Sequence, residues 1–494
     1  MNVLPSANVL PAPVFLTVDW WALGPLMILT VGACLLLLLE LLPAGPRSSR
    51  AAVVSLVSLL AAGCAVFHVR DDRRSLFEGM FVHDGLTVFF TLLFCSIGVM
   101  GVLLSWDFVK RLRLNLSEYY ALLLFSTIGM IVMAASNDLI TIFLGLELMS
   151  LPLYVLVGIR RGHLESNEAS LKYFLLGAFA SGFLLYGIAL LFGATGTTNL
   201  GKMAAFMADS PMLDNPMFWV GAMLVLVGFG FKVSVVPFHM WTPDAYEGAP
   251  TSITAFMSAG AKAAGFAAVL RLLIQVLGDS REVWVPVLTA LAVLTMTVGN
   301  VTALLQNNVK RMLAYSSIAH AGYVLVAVVA GGREGASAAL FYLAVYSFMN
   351  LGAFGILTLL GKDLDERVLV SDLSGLGFRK PALGLAMTLF MLSLGGIPPT
   401  AGFMGKIFVF GVALKAGLTG LVVIGVLNSV VSAAYYVRVL VVMFMTPGTL
   451  EAVRAARRPY LYTSIVFSAV VTVLVGVFPA PWLWLAHHSF LSQP

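Results

Sequence analysis

Charged residues are scarce in this sequence. Only 11% of its 494 residues are Asp, Glu, Lys or Arg, whereas 60% are hydrophobic, and the mean hydropathy is +0.96. Because soluble proteins carry about 25% charged residues, this composition excludes a soluble catalytic domain of the ordinary kind. A membrane-spanning helix needs about 20 apolar residues, so the chain has room for more than a dozen of them.

Cysteine is rarer still, and several cofactor motifs are missing. Cys34, Cys64 and Cys95 lie far apart within apolar runs, a spacing that fits neither an iron–sulfur cluster, a zinc site nor a disulfide framework. The sequence also lacks a GxxxxGK[ST] phosphate loop, an HExxH motif, a CxxCH haem motif and a GxGxxG between a strand and a helix. We therefore expect this chain to bind no cofactor or metal and to perform no redox chemistry itself.

Apolar runs bounded by charge, Pro or Gly predict an all-α polytopic membrane protein with about fourteen transmembrane helices. The runs lie near residues 21–43, 51–69, 86–105, 118–136, 139–159, 169–194, 217–240, 249–275, 284–305, 311–331, 336–360, 383–411, 415–446 and 460–486. No Lys or Arg precedes the first run, so the basic start of a cleaved signal peptide is absent. We expect the first helix to be retained.

Lys and Arg are distributed unevenly among the connections between these spans. Alternate connections, beginning with the first, hold sixteen of them: Arg47, Arg50, Lys110, Arg111, Arg113, Arg160, Arg161, Lys310, Arg311, Lys362, Arg367, Arg379, Lys380, Arg454, Arg457 and Arg458. The other connections hold six: Arg70, Arg73, Arg74, Lys202, Arg281 and Arg333. Because cytoplasmic loops carry the excess of positive charge, we expect both termini on the outer side of the membrane.

The remaining positive residues fall inside or at the edge of spans, and most of them are lysines. They are Lys172, Lys232, Lys262, Lys406, Lys415, Arg271 and Arg438. A buried Lys can release its proton near neutral pH, whereas Arg stays charged. Lys415 and Arg271 fit snorkelling to the interface, and Lys172 fits snorkelling and a proton relay equally. We interpret Lys232, Lys262 and Lys406 as candidate proton carriers.

Glu147 is the one acidic residue deep within a predicted span, ITIFLGLELMSLPLYVL. An ionisable group at the centre of a bilayer costs about 2.5–3.5 kcal/mol, so Glu147 needs a partner or a water-filled cavity. We interpret it as a functional proton site. The alternative is a structural ion pair that orders helix packing.

Prolines interrupt two of the spans, where they remove backbone hydrogen bonds. The seventh span holds Pro237, and the twelfth holds Pro398 and Pro399. Discontinuous helices beside ionisable residues are a common way for transporters to build an ion site. Lys232 lies five residues before Pro237, and Lys406 lies seven residues after Pro399. Both lysines are therefore placed for such a role.

The two broken spans lie five spans apart, which predicts two repeats of five helices, spans 4–8 and 9–13. Because five is odd, the units enter the membrane from opposite sides and form an inverted repeat. The predicted domains are residues 1–117 with three spans, 118–276 and 284–446 with one repeat each, and 447–494 with the last span. The second helix of the units then carries Glu147 or His320, and the fifth carries Lys262 or Arg438.

Two histidines, together with Lys172, are candidate relays for the same protons. His320 lies in an otherwise apolar span, and histidine ionises near neutral pH. His239, close to Pro237, fits a relay and a cap of the broken helix equally.

Four segments of the chain resemble the antiporter-like membrane subunits of respiratory complex I. They are NDLITIFLGLELMSLPLYVLVG, FKVSVVPFHMWTPDAYEGAPTSITAFMSAGAKAAGF, NNVKRMLAYSSIAHAGYVL and GGIPPTAGFMGKIFVF. The similarity runs along spans 4–13. Leu146 before Glu147, a lysine at Lys406 and the length of the chain are typical of the N-type branch of this family.

This resemblance implies a proton-translocating subunit in a bacterial inner membrane. Glu147 and Lys232 would form a pair, Lys262 would lie at the centre, and Lys406 would pass the proton toward the far side. The partners would be other membrane subunits of complex I, namely the antiporter-like subunits M and L and small membrane subunits, and not nucleic acid. NADH, FMN, iron–sulfur clusters and quinone would be handled by partner subunits.

Other functions stay open on the same residues. A subunit of an Mrp-type Na⁺/H⁺ antiporter resembles this family over the same helices and would exchange cations without electron transfer. A membrane subunit of a hydrogenase or formate-linked complex would share the mechanism and differ in its electron source. A purely structural scaffold would leave the intramembrane lysines unexplained.

Overall fold

The computed structural model describes residues 19–39, 47–70, 72–111, 117–209, 215–361, 369–447 and 458–489. Helices make up nearly all of these ranges. The strands in them form one short antiparallel hairpin, β1 Arg74–Leu76 paired with β2 Phe81–His83.

Nineteen α-helices follow one another along the described ranges. The first three are α1 Trp20–Leu39, α2 Arg47–His68 and α3 Gly85–Arg111. The next group contains α4 Ser117–Ala135, α5 Leu139–Val157, α6 Leu164–Thr195, α7 Leu200–Asp209, α8 Pro216–Val233, α9 Trp241–Gly248 and α10 Thr251–Gln275. The group after it contains α11 Arg281–Leu304, α12 Val309–Ala330, α13 Gly332–Leu360, α14 Leu376–Arg379, α15 Pro381–Gly395, α16 Ala401–Lys415 and α17 Thr419–Met445. The last two are α18 Pro459–Val477 and α19 Ala480–His488.

Thirteen of these helices are long and apolar enough to cross a membrane. The pair α15 and α16 occupies the twelfth predicted span, so the prediction of about fourteen spans in an all-α membrane protein is confirmed. The seventh and twelfth spans are discontinuous. Helix α8 ends before Pro237 and α9 begins after it, and α15 ends before Pro398 while α16 begins after Pro399. The prediction of two discontinuous helices is confirmed as well.

Three local features differ from the sequence prediction. The last span, predicted over 460–486, is split into α18 and α19 at Pro479, because proline cannot continue the backbone hydrogen bonds of a helix. The sixth span begins at Leu164 instead of residue 169, since its polar first turn is missed by a hydropathy criterion. The hairpin, with strands of three residues, and the ten-residue helix α7 are too short to be found by a search for membrane spans.

The two seven-helix groups repeat one local design. Asp138 caps α5 by accepting hydrogen bonds from two backbone N–H groups of its first turn, and Asn308 caps α12 in the same way. Each cap residue also forms an isolated bridge with the connection that follows the next helix, Asp138 with Asn199 and Asn308 with Leu369. The two caps lie 170 residues apart, which sets the register of the repeat.

A close helix crossing recurs at the same spacing. At Gly129 of α4 an added Cβ would lie closer than 3.0 Å to the backbone of Met149, and at Gly299 of α11 it would lie equally close to the backbone of Ala319. Residues without a side chain let two helices approach this closely. Each repeat has five spans. Because five is odd, the second repeat enters the membrane from the opposite side and is inverted relative to the first.

An arginine near the end of each repeat binds the first helix of its own unit. Arg271 of α10 donates from Nε to the Ala134 carbonyl, and Arg438 of α17 donates to the Leu304 carbonyl at 3.1 Å. Ala134 and Leu304 are again 170 residues apart. Arg438 and Arg271 thus make equivalent contacts in the two repeats, and Arg438 lies on the fifth span of its repeat as Lys262 does in the first.

The 170-residue register also identifies the residue of the second repeat that aligns with Glu147. The position 170 residues after Glu147 is Ser317, and His320 takes the place that Ser150 has in the first repeat. The repeats thus share a backbone design and differ in the polar side chains at their centre.

Alanine at Gly129 or Gly299 should destabilise the folded subunit, because the added methyl group meets backbone that cannot move aside. Overpacking of this kind costs about 1–3 kcal/mol. Gly182→Ala is the matched control, since an added Cβ there meets nothing within 4 Å. Thermal unfolding in mild detergent should show lower midpoints for the first two variants and an unchanged midpoint for the control. Equal midpoints for all three would contradict the close crossing.

Candidate functional site

Three lysines and one histidine of the predicted site lie buried within the helix bundle. Lys232 ends α8, Lys262 lies in α10, His320 in α12 and Lys406 in α16, and each residue is at most 5% exposed. Small residues flank Lys262 in FMSAGAKAAGF, which lets the neighbouring helices pack closely around it. We refer to these four residues as the lysine–histidine row.

Lys232 is surrounded by aromatic rings. Its Nζ donates a long hydrogen bond of 3.4 Å to the Tyr173 hydroxyl and lies 5.2 Å from the centre of the Tyr173 ring and 5.6 Å from that of Tyr154. Trp241 stacks on Tyr173 with ring centres 4.4 Å apart. Rings of this kind stabilise an ammonium by cation–π attraction and shield it from solvent.

Glu147 does not form a direct ion pair with Lys232. Within the described ranges no oxygen of Glu147 lies within 4.0 Å of Lys232 Nζ, and the Glu147 carboxylate instead accepts a hydrogen bond from Ser181. Ser181 and Lys232 line one small cavity between α5, α6 and α8, with a volume of about 10 Å³, close to what one water molecule needs. The two predicted site residues are therefore neighbours across a serine and a cavity.

Protein groups bind backbone groups at the break after α8. The backbone N–H of Val236 donates to Thr295 Oγ1 at 3.1 Å, and the indole of Trp241 donates to the Phe231 carbonyl at 2.8 Å. A broken helix survives in a membrane where such partners satisfy its freed backbone groups. Lys232 lies in the last turn of α8, where the negative end of the helix dipole favours a cation.

Lys262 links the two repeats. Its ammonium donates to the Ser317 carbonyl at 2.7 Å and also to the Ser317 hydroxyl, so α10 of the first repeat is joined to α12 of the second. The ring centre of Tyr246 lies 6.0 Å from Lys262 Nζ. Ser317 is the residue of the second repeat that aligns with Glu147 of the first. Lys262 therefore has a neutral partner at the position where the first repeat has a carboxylate.

His320 lies one helical turn beyond Ser317 on the same face of α12. Its Nδ1 is hydrogen-bonded to the Tyr342 hydroxyl at 2.8 Å, and its Nε2 is hydrogen-bonded to the Tyr436 hydroxyl at 3.2 Å. Tyr436 in turn shares a hydrogen bond with Ser316. Both ring nitrogens therefore have hydroxyl partners that can act as donor or acceptor.

Lys406 reaches back across the second helix break. Its Nζ donates to the Gly395 carbonyl at the end of α15 at 2.9 Å and to Ser429 Oγ at 2.8 Å, and it lies 4.8 Å from the ring centre of Tyr323. Gly396 has φ +81° and packs on this side chain, since an added Cβ would lie 2.7 Å from Lys406 Cδ. Glycine is required here both for its positive φ and for the space that Lys406 occupies.

Polar residues that sequence reasoning missed extend the row beyond Lys406. Asn300 donates to the Tyr323 hydroxyl at 3.3 Å and to Asn428 Oδ1 at 3.4 Å, and Asn428 donates to Thr297 Oγ1 at 3.3 Å. Thr297 is exposed on the surface of the chain. An asparagine within an apolar span was the available signal for Asn300 and Asn428.

The relay candidates His239 and Lys172 form no hydrogen bond with the four residues of the row within the described ranges. His239 is half-buried at the first helix break, and its Nδ1 finds no hydrogen-bond partner in the part of the chain that the structure describes. Lys172 pairs with Glu168 at 2.7 Å and with Asp244 at 2.8 Å, and Arg311 shares Asp244 at 2.8 Å. Lys172 therefore takes part in an ion-pair cluster that ties α6, α9 and α12 together.

Two further charged residues of the spans also have acidic partners. Arg271 is buried and donates to both oxygens of Asp84 at 2.9 Å, and Lys415 forms an exposed pair with Glu334 at 3.0 Å. Burial raises the pKa of the Asp84 carboxyl, but the Arg271 guanidinium outweighs that effect and holds the pKa below its usual range. Arg271 is thus an internal tie and does not snorkel.

Sequence comparison relates the chain to named proteins. Residues 136–432 match the family model described as NADH:quinone oxidoreductase/Mrp antiporter, TM. The chain is 47% identical to NADH-quinone oxidoreductase subunit N of Trichlorobacter lovleyi, over 97% of this chain and 98% of that one. It is 42% identical to NADH-quinone oxidoreductase subunit N 2 of Rhizobium meliloti, over 95% of this chain and 98% of that one.

Solved structures share the fold. A chain of respiratory complex I from Thermus thermophilus with bound aureothin superposes with a TM-score of 0.80 at 37% identity, covering 94% of this chain and 99% of that chain. A chain of the Mrp complex from Dietzia sp. superposes with a TM-score of 0.82 at 21% identity, covering 96% and 97% of the two chains. The second likeness shows the fold alone.

The contact between Gly396 and Lys406 leads to a stability prediction. Gly396→Ala should lower the unfolding midpoint more than Gly417→Ala, because both positions have positive φ but only at Gly396 does the new methyl group meet a side chain. In a Lys406→Ala background the excess should vanish, as expected for residues in direct contact. Thermal unfolding of the four variants measures this coupling. An excess that persists without the Lys406 side chain would show that Gly396 has another role.

Proposed function

The chain belongs to the subunit N family of the NADH-quinone oxidoreductases, and we propose that it carries protons across the membrane in such a complex while partner subunits carry the electrons. The observation that best supports this function is the lysine–histidine row itself, in which buried lysines and a histidine contact a chain of hydroxyl groups. Ionisable groups are costly in the membrane interior and are typical of ion and proton pathways.

Lys232 is the first proton site of the pathway. An ionised Glu147 favours the ammonium form of Lys232 across the Ser181 cavity, because opposite charges attract strongly where water is scarce. When Glu147 is neutralised, or when a charge moves in a partner subunit, that preference weakens and the proton is released. A change of about 1.4 kcal/mol alters the proton affinity tenfold, so a small movement of charge is sufficient.

Lys262 receives the proton, and His320 passes it across the boundary between the repeats. The imidazole has hydroxyl partners on both ring nitrogens, so a proton taken up at one nitrogen can leave from the other. Tyr323 follows on the same face of α12, and its ring faces the Lys406 ammonium. Lys406 then releases the proton toward the outer side.

A partner membrane subunit covers the face of α5 that carries Glu147. Glu147 is half-buried, and its neighbours Leu144, Leu148 and Leu151 on this face are exposed. Placing the Glu147 carboxylate against lipid would cost several kcal/mol, whereas placing it against a polar group on a partner helix would avoid that cost. The expected partners are small membrane subunits and the antiporter-like subunits M and L, with NADH, FMN, iron–sulfur clusters and quinone bound elsewhere in the complex.

The chain lies in the bacterial inner membrane with both termini on the outer side. The connections of the set that holds most of the Lys and Arg lie together at one end of the bundle. Arg160, between α5 and α6, donates to the Gly248 carbonyl at the end of α9. Asn308, between α11 and α12, forms a bridge with Leu369, between α13 and α14. The excess of positive charge at this end supports a cytoplasmic location.

A role in an Mrp-type Na⁺/H⁺ antiporter is the weaker alternative. The Mrp chain is similar at the level of fold, while the relatives with 47% and 42% identity are named as subunit N. The names of these relatives therefore favour a subunit of an NADH-quinone oxidoreductase over an antiporter.

Lys262→Gln should abolish proton translocation, because glutamine keeps a hydrogen-bonding side chain but cannot carry the proton. Loss of a positioned proton-transfer group lowers rates by about 100-fold or more. Lys415→Gln is the control, since Lys415 is exposed and pairs with Glu334. NADH-driven acidification of sealed membrane vesicles measures the effect, with assembly checked on native gels. Normal acidification by an assembled Lys262→Gln complex would refute the pathway.

Glu147→Gln should reduce pumping while leaving the complex assembled. Glutamine can still accept the hydrogen bond from Ser181 but removes the charge that favours a proton on Lys232. Glu168→Gln removes a carboxylate from the exposed pair with Lys172 and should pump normally. The ratio of protons translocated to NADH oxidised separates the two variants, and an unchanged ratio in Glu147→Gln would remove Glu147 from the mechanism.

A further inference from the structure

An apolar cavity with a volume of about 810 Å³ lies between α2, α3 and α18. Leucine and phenylalanine side chains line most of it, and Cys64 of α2 and Cys95 of α3 add two thiols. Leu60 and Phe67 on its walls are exposed, so the cavity opens toward the membrane. Its volume is within the range of about 300–1,000 Å³ that is typical of ligand pockets.

The polar side chains along the walls of this cavity are bound by their own helices. The Ser96 hydroxyl donates to the Leu92 carbonyl at 2.8 Å, and the Thr463 hydroxyl donates to the Pro459 carbonyl at 2.9 Å. An ordered water needs two to four polar partners, and apolar cavities stay dry. These walls therefore favour hydrocarbon over water.

The cavity has the depth of one leaflet of a bilayer. Its lining on α3 runs from Leu92 to Leu103, which is about 16 Å at 1.5 Å per residue. One leaflet of the hydrocarbon core is about 15 Å deep. Helix α3 begins two residues after strand β2, so the Leu92 end of the cavity lies on the hairpin side of the membrane.

Basic and aromatic residues lie at this same end. His68 and Arg70 line the cavity at the end of α2, and the Arg70 guanidinium carbon lies 4.2 Å from the centre of the Phe67 ring. Trp21 of α1 is exposed, and its ring centre lies 6.4 Å from that of His68. Such residues are typical of the level of the lipid headgroups. A guanidinium at this level attracts the phosphate of a headgroup.

The width of the cavity argues against a transmembrane helix of a partner subunit. A volume of about 810 Å³ over a depth of about 15 Å gives a mean cross-section of about 50 Å². A helix about 10 Å in diameter has a cross-section of about 80 Å². The acyl chains of a lipid are thinner and adapt to an irregular wall, so a lipid fits this space better than a helix does.

We propose that this cavity binds a phospholipid of the leaflet on the hairpin side, with its acyl chain between α2, α3 and α18 and its phosphate against Arg70. Burial of the methylene groups holds the chain, and the charge of Arg70 favours a headgroup with a net negative charge. The lipid fills the space between the N-terminal spans and the last span. This site does not depend on the proton pathway, because none of the described residues that line it belongs to the lysine–histidine row.

A photoreactive lipid tests the site in the assembled complex. The complex is placed in nanodiscs of phosphatidylcholine that contain phosphatidylglycerol with a diazirine on one acyl chain. Light then attaches this lipid to neighbouring residues, which mass spectrometry of the digested chain identifies. We expect the labels to concentrate on the cavity walls, at Cys64, Cys95 and their neighbours. Labels spread evenly over all exposed spans would overturn the proposal.

Gly63→Leu should remove most of this labelling by filling the cavity. Gly63 lines the cavity, and an added Cβ would lie 3.8 Å from Cys95 Cβ, an ordinary contact, so the longer side chain competes with the lipid for space. Gly420→Leu is the matched control, because an added Cβ there meets nothing within 4 Å in the described structure. We expect about a tenfold loss in Gly63→Leu and none in Gly420→Leu. Unchanged labelling in Gly63→Leu would overturn the proposal.

Arg70→Gln should lower labelling by the phosphatidylglycerol probe about fivefold, because one positive charge beside the headgroup is lost. Arg73→Gln is the control, since Arg73 is exposed on the same connection but is not among the described residues that line the cavity. An equal loss in the two variants would show attraction to the surface as a whole and would contradict a phosphate site at Arg70.

A structure of the unmodified complex in these nanodiscs decides the question even if the variants do not assemble. We expect elongated density along α3 from Leu103 to Leu92 that ends at Arg70. A protein helix in the cavity, or a cavity without density, would overturn the proposal.

Discussion

A polar group inside a bilayer must find its partner within the protein, and the centre of this structure is built around that constraint. The helix breaks expose backbone groups, and the side chains of Thr295 and Trp241 satisfy those of the first break. At the second break Lys406 itself binds an open carbonyl, that of Gly395. Lys406, a residue of the proposed proton pathway, thus also stabilises the broken helix. The irregular backbone and the buried charge are each costly in a membrane, and here each satisfies the other.

The inverted repeat gives both halves the same backbone but not the same electrostatics. The first repeat has Glu147 close to its lysine, whereas the equivalent position of the second repeat is the neutral Ser317, which binds Lys262. A proton on Lys232 is therefore favoured by a nearby carboxylate that Lys262 and Lys406 lack. In the proposed function, this asymmetry would let the charge of Glu147, on the face that we propose a partner covers, control when a proton enters the row.

Composition and helix breakers were sufficient to predict the spans, the two discontinuous helices and the burial of Lys232, Lys262 and Lys406, because a long apolar run and a proline within it are local signals. The burial of Lys310, which the sequence placed in a connection, was missed. Register was not predictable, since it depends on contacts between helices. The sequence therefore placed Lys262 and Arg438 on the fifth spans, but it did not show that Arg438 contacts its repeat as Arg271 does. Ser181, Asn300 and Asn428 were missed for the same reason: a neutral polar residue in a helix gains meaning only from what lies across from it.

The central claim is that the row is a single pathway in series. The most direct test compares Lys232→Gln, Lys406→Gln and the double variant, each in the assembled complex, by the number of protons translocated per NADH oxidised. Residues that act as one unit are strongly non-additive, so the account predicts the same loss in the double variant as in either single variant. If each single variant removed part of the pumping and the double variant removed the sum, the two lysines would serve separate pathways and the account would be wrong.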